Sequence, residues 1–233
     1  MKIKVKDLSY QYPKTGTPIF TRLGMDISGP GFHGLFGQSG VGKTTLARIL
    51  AGLIKNYEGE IEAGNAQPVL YTYNLERLPG WCSVGEHLKA VSTDPAAAYG
   101  LMELFGLDRL TDHRFRELSL GQQNRLNLLR YLTQSFAFLI MDESLGNVDE
   151  ATRHRIIIMI KERFPHQTFL YISHNVLEVA RFCREIHILT SRANDANQMI
   201  TIPGFDIQRL EECGHKETEA KVGQIVGQIL RAS

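Results

Sequence analysis

Cysteine is scarce in this chain of 233 residues: Cys82, Cys183 and Cys213 are an odd number, widely scattered, with no C-x-x-C and no Cys/His ligand spacing. Neither a disulfide framework nor a zinc site is indicated. Charge of one sign is also missing, since 26 Lys and Arg face 25 Asp and Glu and leave a formal net charge of +1. A nucleic-acid binder usually carries a basic footprint, so no nucleic acid is expected as a partner. Long apolar runs are absent too. The longest, Phe136 to Met141, falls far short of the ~20 residues that a spanning helix needs. The first residues, MKIKVKDLSYQY, alternate charge with hydrophobe and lack the apolar core of a secretory signal, so a cytoplasmic location is expected. Neither an internal repeat nor a low-complexity stretch stands out.

What the chain does contain is a composition with 43% hydrophobic residues, enough at this length for one sizeable domain or a core with a small subdomain. Strands are expected at Lys2–Leu8, Phe20–Ile27, Phe32–Phe36, 59–65 and Val69–Tyr73. After Phe36 a helix should run from about Lys43 to Gly52 on Leu46, Ile49, Leu50 and Leu53. Residues 84–115 read as mostly helical, with Leu101, Leu104, Phe105 and Leu107 as the apolar face. A second group follows: a strand at Phe136–Met141, a helix at Glu150–Phe164, and strands at Thr168–Ile172, Glu185–Leu189 and about Met199–Ile202. Val222, Ile225, Val226, Ile229 and Leu230 share one face of a C-terminal amphipathic helix, most simply a cap on the core. Strands alternating with helices imply an α/β fold around a buried, mostly parallel sheet.

Between a strand and a helix, residues 37–44 read GQSGVGKT, the pattern G-x-x-x-x-G-K-S/T. Its glycines let backbone N–H groups wrap an anion, and the following helix aims its positive dipole end at the same place. Nucleotide binding is therefore expected at Gly37, Gln38, Ser39, Gly40, Val41, Gly42, Lys43, Thr44 and Thr45. Lys43 would meet the β- and γ-phosphates, and the Thr44 hydroxyl would ligate Mg2+. The strand FAFLIM ends in Asp142-Glu143, two carboxylates at the sheet edge where α/β folds bind ligands. One suits magnesium and the other an attacking water.

Between these two motifs lies LSLGQQ, residues 118–123, at the entry to a helix. With it the chain resembles the nucleotide-binding ATPase subunit of ABC transporters, whose signature is L-S-G-G-Q, and the likeness extends to about Leu189. The resemblance implies a P-loop NTPase fold of ABC type, with N-terminal antiparallel strands and a helical subdomain at about 84–118. It implies an ATPase body over 1–190 and an extension over 191–233. It assigns Glu143 as the general base and Asp142 as a magnesium ligand. Ser119, Gly121 and Gln122 would contact ATP held by the opposite subunit of a head-to-tail homodimer, with Leu120 in place of the first signature glycine. Asp149, in GNVD, belongs to the loop that couples the two sites, and is equally a helix N-cap. His174, in YISHN, matches the switch histidine, Tyr12 the aromatic that stacks on adenine (Tyr10 competes), and Asn74 the glutamine that touches magnesium.

The run LPGWCSVGEHL is similar to the nitrate, sulfonate and taurine importer group. The implied activity is hydrolysis of Mg-ATP to drive a separate transmembrane permease from the cytoplasmic face of the membrane. Two alternatives stay open at this point: a soluble ABC-type ATPase of an assembly or regulatory complex, and a slowly hydrolysing, nucleotide-gated interaction module.

Overall fold

A computed structural model describes residues 2–13, 16–64, 68–74, 76–78, 80–192 and 195–233. Among them two sheets carry the fold. Strands β1 (Lys2–Gln11), β2 (Pro18–Ser28) and β4 (Glu58–Ala63) form an antiparallel sheet in the order β2-β1-β4. The second sheet runs β5-β6-β7-β3-β8-β9, built from β3 (Gly31–Phe36), β5 (Val69–Tyr73), β6 (Phe138–Asp142), β7 (Thr168–Ile172), β8 (Glu185–Arg192) and β9 (Asp195–Pro203). It is parallel from β5 to β8, and β9 closes it antiparallel to β8.

Sequence pattern explains the difference. Every residue of β6 (FLIMD) and β7 (TFLYI) is buried, as expected for strands covered on both faces. In β1 the burial alternates through Ile3 and Val5, then shifts register before Leu8 and Tyr10. The shift falls at Asp7, whose φ is 50°, a left-handed residue that bends the strand.

Alternation along the parallel strands divides the apolar side chains between two cores. Leu139, Met141, Phe169 and Tyr171 face one cluster, together with helices α2 (Val84–Val91), α3 (Pro95–Leu104), α4 (Leu120–Leu132), α5 (Glu150–Arg163), α6 (Val176–Phe182) and α7 (Lys216–Ala232). Phe138, Ile140, Leu170 and Ile172 face the other, with α1 (Lys43–Leu50) and the antiparallel sheet.

Several expected boundaries move. Residues 84–115 are mostly helical as expected, divided into two helices and short 3-10 turns. Leu53 and Leu104 do not share the apolar faces assigned to them: they are 64% and 49% exposed. α1 ends at Leu50, so Leu53 follows a turn with Gly52 at φ 70°, and helical periodicity no longer applies to it. Leu230 is likewise exposed, while Val222 and Ile229 are buried and Ile225 and Val226 pack against the same cluster. The expected strand at 59–65 runs over Glu58–Ala63, and Asn65 lies outside the described residues. The helix α6 has only seven residues. Its start is an Asn175 cap, whose side chain accepts from the N–H groups of Leu177 and Glu178.

Candidate functional site

β3 delivers the chain into the glycine loop at the C-terminal edge of the parallel sheet. A side chain at Gly37 would meet the Leu189 carbonyl at 2.4 Å. Gly42 has φ 110°, and a Cβ there would lie 2.8 Å from Ile19 and 3.0 Å from Phe20. Both positions thus require glycine, one for close approach and one for conformation as well. Lys43 is buried and its ammonium donates to the carbonyls of Gly37, at 2.7 Å, and Gln38, at 2.9 Å. Burial lowers its pKa, and the charges of Glu143 and Asp142 oppose that shift. The loop is braced from β9, where the Asn197 amide donates to the carbonyls of Val41, at 3.0 Å, and Ile19, at 2.5 Å. Val41 itself is a core side chain.

Ser39, Gly40, Gly42, Lys43, Thr44 and Thr45 line a cavity of about 200 Å³ together with Glu143 and His174. Three separate stretches of sequence meet here because β3, β6 and β7 are neighbours in the sheet. Glu143 Oε1 lies 2.6 Å from His174 Nε2. Glu143 also has φ 52°, a left-handed conformation that costs a non-glycine residue roughly 1–2 kcal/mol. Two backbone bonds maintain it, Glu143 N–H to the Ile172 carbonyl and Gly146 N–H to the Glu143 carbonyl. The strain turns the side chain out of strand geometry at the end of β6, and such outliers cluster at functional positions.

Asp142 is buried, and the Tyr71 hydroxyl donates to its Oδ2 at 2.9 Å. Burial, reinforced by the Asp142 charge, pushes the Tyr71 pKa well up, so the phenol remains a donor. Behind His174, the buried Glu178 carboxylate accepts from the Tyr171 hydroxyl at 2.8 Å and pairs with Arg153 at 2.5 Å. Ser173 reaches the same carboxylate at 3.4 Å and accepts from Asn175 N–H, which joins the His174 loop to α5 and α6. Tyr71, Asn197, Arg153 and Glu178 are contributors that motif reading does not find. Their partners are distant in sequence, and only the aromatic alternation of Tyr71 and Tyr73 in β5 hints at a role.

Tyr12 is half-buried beside α1, with its hydroxyl 3.0 Å from Thr45 Oγ1 and its ring edge-on to Tyr10. Tyr10 is a buried core residue. The Asn74 amide oxygen accepts from Asn124, at 2.8 Å, and Asn147, at 3.0 Å. It does not line the cavity that holds Lys43 and Glu143.

The signature residues stand apart from that cavity. Ser119 caps α4 by accepting from Gln122 N–H at 3.3 Å, and the Gln122 side chain accepts from Ser119 N–H at 2.8 Å. A serine hydroxyl engaged as acceptor keeps its own proton to donate. At Gly121 a Cβ would lie 2.6 Å from the Asn147 carbonyl, so glycine lets α4 touch the 146–149 loop. Asp149 caps α5 through Thr152 N–H at 2.9 Å, and that bond lowers its pKa. Leu120 is exposed.

Comparison with known proteins agrees with this geometry. The family model described as ABC transporter matches residues 20–146. The Molybdenum import ATP-binding protein ModC of Brucella abortus is 32% identical over 184 residues, which cover 69% of this chain and 51% of that protein. The chain thus spans about half the length of these molybdenum relatives. The Aliphatic sulfonates import ATP-binding protein SsuB 3 of Paraburkholderia xenovorans is 31% identical over 82% of this chain and 78% of its own. The Taurine import ATP-binding protein TauB of Mesorhizobium japonicum is 29% identical over 78% and 77%.

Among solved structures, a dimeric bacterial ABC transporter cassette matches with a TM-score of 0.71 at 21% identity, covering 81% of this chain and 94% of that one. A bacterial Atm1-family ABC exporter with ATP bound matches with a TM-score of 0.75 at 17% identity, over 94% and 42%. At those identities the likeness concerns the fold, a P-loop NTPase of ABC type. With its phosphate loop, its Asp142-Glu143 strand end and its matched family model, this chain belongs to the ABC transporter family, and its relatives include importer ATP-binding proteins.

Proposed function

We propose that the chain binds and hydrolyses ATP as a head-to-tail homodimer, and so powers solute import through a separate membrane permease at the cytoplasmic face. The observation that carries this reading is the Glu143–His174 pair, 2.6 Å apart over the cavity of Lys43 and Thr44. In the reaction a water attacks the γ-phosphorus in line, the bond to the β,γ-bridging oxygen breaks, and ADP and phosphate leave. Glu143 orients the water and accepts its proton. His174 holds Glu143 in place and can donate to a γ-phosphate oxygen. Lys43 would exchange its carbonyl partners for phosphate oxygens, and Tyr12 would stack on the base.

Magnesium fits the donor set. Thr44 offers a hydroxyl and Asp142 a carboxylate, hard oxygen ligands of the kind that ion prefers. With Tyr71 on Oδ2, Asp142 keeps its other oxygen for the metal or its water shell. The ion would neutralise charge on the β- and γ-phosphates. Asn74 would reach it only by releasing Asn124 and Asn147, which supports a reading of Asn74 as a sensor between the α4 and 146–149 segments.

Ser119, Gly121 and Gln122 would meet the γ-phosphate from the facing chain, with Asp149 in the loop between sites. The groups that would touch nucleotide lie in 1–190, and 191–233 is an extension carrying β9, whose Asn197 braces the phosphate loop, and α7. None of the described helices is long and apolar enough to cross a membrane, so the solute path would belong to the permease.

The test is phosphate release by wild type and Glu143→Gln. Turnover should fall by about 10²–10⁴-fold, the usual scale of a general base, with ATP affinity retained. Wild-type turnover in that variant would remove Glu143 from the mechanism.

A further inference from the structure

At the opposite end of β3 a second polar cluster is buried between the two sheets. His33 lies on β3, and the register pairs it with Glu185 on β8, while Leu35 pairs with His187. Glu185 and His187, two residues apart, therefore share one face of β8, next to His33. Both imidazoles are fully buried, and Glu185 remains 38% exposed. One nitrogen from each histidine and a Glu185 oxygen all lie within 4.8 Å of one another.

The hydrogen bonding of these rings is one-sided. His33 Nε2 lies 3.2 Å from the Gly29 carbonyl, and His33 Nδ1 lies 3.2 Å from Glu185 Oε2. Both neighbours are acceptors. A neutral ring carries one proton, so either tautomer leaves a lone pair aimed at an oxygen. His187 has Thr201 Oγ1 at 3.0 Å from Nδ1 and no hydrogen-bond partner at Nε2.

A single cation would resolve every one of these contacts. We propose that His33 Nδ1, His187 Nε2 and the Glu185 carboxylate form a binding site for a zinc-class divalent cation. The far nitrogens are already held, His33 by a backbone carbonyl and His187 by a hydroxyl, the arrangement that fixes tautomer and orientation in metal-ligating histidines. Two nitrogens with one carboxylate suit zinc or cobalt rather than magnesium. Ideal tetrahedral ligands stand about 3.4 Å apart, so the side chains need close by up to about 1.4 Å. Exposed Glu185 gives the ion its way in and leaves a fourth position for water. The nearby Arg184 directs its guanidinium onto the Pro30 carbonyl, at 3.0 Å.

The site is distinct from the phosphate cavity, because four residues of strand separate His33 from Gly37, roughly 13 Å. It would clamp β3 to β8 at the end of the sheet that hydrolysis does not use. Cysteine and histidine spacing gives no sign of it, since its ligands come from strands 150 residues apart that only the parallel sheet makes neighbours.

The experiment strips the full chain with a chelator, saturates it with ADP and Mg2+ to fill the nucleotide site, and titrates Zn2+ against a chromophoric competitor. Wild type should bind one zinc per chain, and Co2+ should give the intense d–d absorption of a tetrahedral site. Glu185→Gln, at a half-exposed position that folding tolerates, should weaken zinc by at least about 10-fold, and His33→Gln should do the same. His174→Ala should leave the stoichiometry unchanged. The proposal is overturned if wild type takes up no zinc, if Glu185→Gln and His33→Gln bind as tightly as wild type, or if His33 titrates by NMR as an imidazolium paired with Glu185 in zinc-saturated protein. If His33→Gln fails to fold, Glu185→Gln alone decides.

Discussion

The phosphate side and the signature side of this molecule are built on opposite terms. On the phosphate side, charged groups are gathered and only partly satisfied: a buried ammonium on two carbonyls, and a strained glutamate against a histidine. On the signature side every cap is closed on itself, Ser119 with Gln122 and Asp149 with Thr152. The first region is poised for an anion, whereas the second is a face of closed helix caps in which the Ser119 hydroxyl accepts from Gln122 N–H and keeps its own proton to donate. In the proposed function the two meet from different chains, with nucleotide as the joint.

The largest effect should come from the phosphate side. Lys43→Ala removes the only ammonium lining the described cavity and should weaken Mg-ATP roughly 100-fold or more by calorimetry. Unchanged affinity would mean that the loop is held for folding alone. On the signature side, Gly121→Ala places a methyl 2.6 Å from the Asn147 carbonyl and should cost about 1–3 kcal/mol by chemical denaturation. ATP-dependent association should weaken with it while monomer affinity for ATP persists. If association survives, the two regions are less distinct than described.

Tyr71→Phe deletes a single buried hydrogen bond to Asp142 and leaves the ring. About 1–2 kcal/mol is at stake, so a loss of 5–30-fold in kcat/KM, partly recovered by raised Mg2+, is expected. An equal loss at all magnesium levels would make Tyr71 a packing residue only. The smallest effect belongs to the Asp149 cap. Its carboxylate is held below the ordinary 3.8 by the Thr152 N–H, so its stabilisation is present above pH 3.8 and is lost as pH falls through the lowered value. Wild type should therefore melt above Asp149→Ala at neutral pH, with the gap closing in acid. A gap independent of pH would assign the effect to helix propensity.

These contrasts also bear on what was legible beforehand. Lys43 and Thr44 could be read because the loop is a local device whose spacing is its geometry. Glu143 could be read because it directly follows the buried apolar strand β6, whereas His174, two residues beyond β7, was legible by family likeness. Signature residues were legible only by family likeness, since Ser119 and Asp149 look like ordinary caps and do act as caps here. Tyr71, Asn197 and Glu178 were not legible, because each acts through a residue 7 to 156 positions away. Leu53 misled for the opposite reason: the apolar period continues past the point where a turn has ended α1, whereas Leu104 is the last residue of α3 and turns outward while Phe105 and Leu107 beyond it are buried. The amide bonds of Asn74 to Asn124 and Asn147 were equally illegible, because those partners lie 50 and 73 positions away.

The most direct test of the two-sided account is the size of Glu143→Gln in solution with Mg-ATP, by analytical ultracentrifugation. With hydrolysis stopped, nucleotide should stay between the phosphate side of one chain and the signature side of another. A stable dimer should form with Mg-ATP and dissociate with Mg-ADP. A monomer that holds ATP at full occupancy would contradict the shared site.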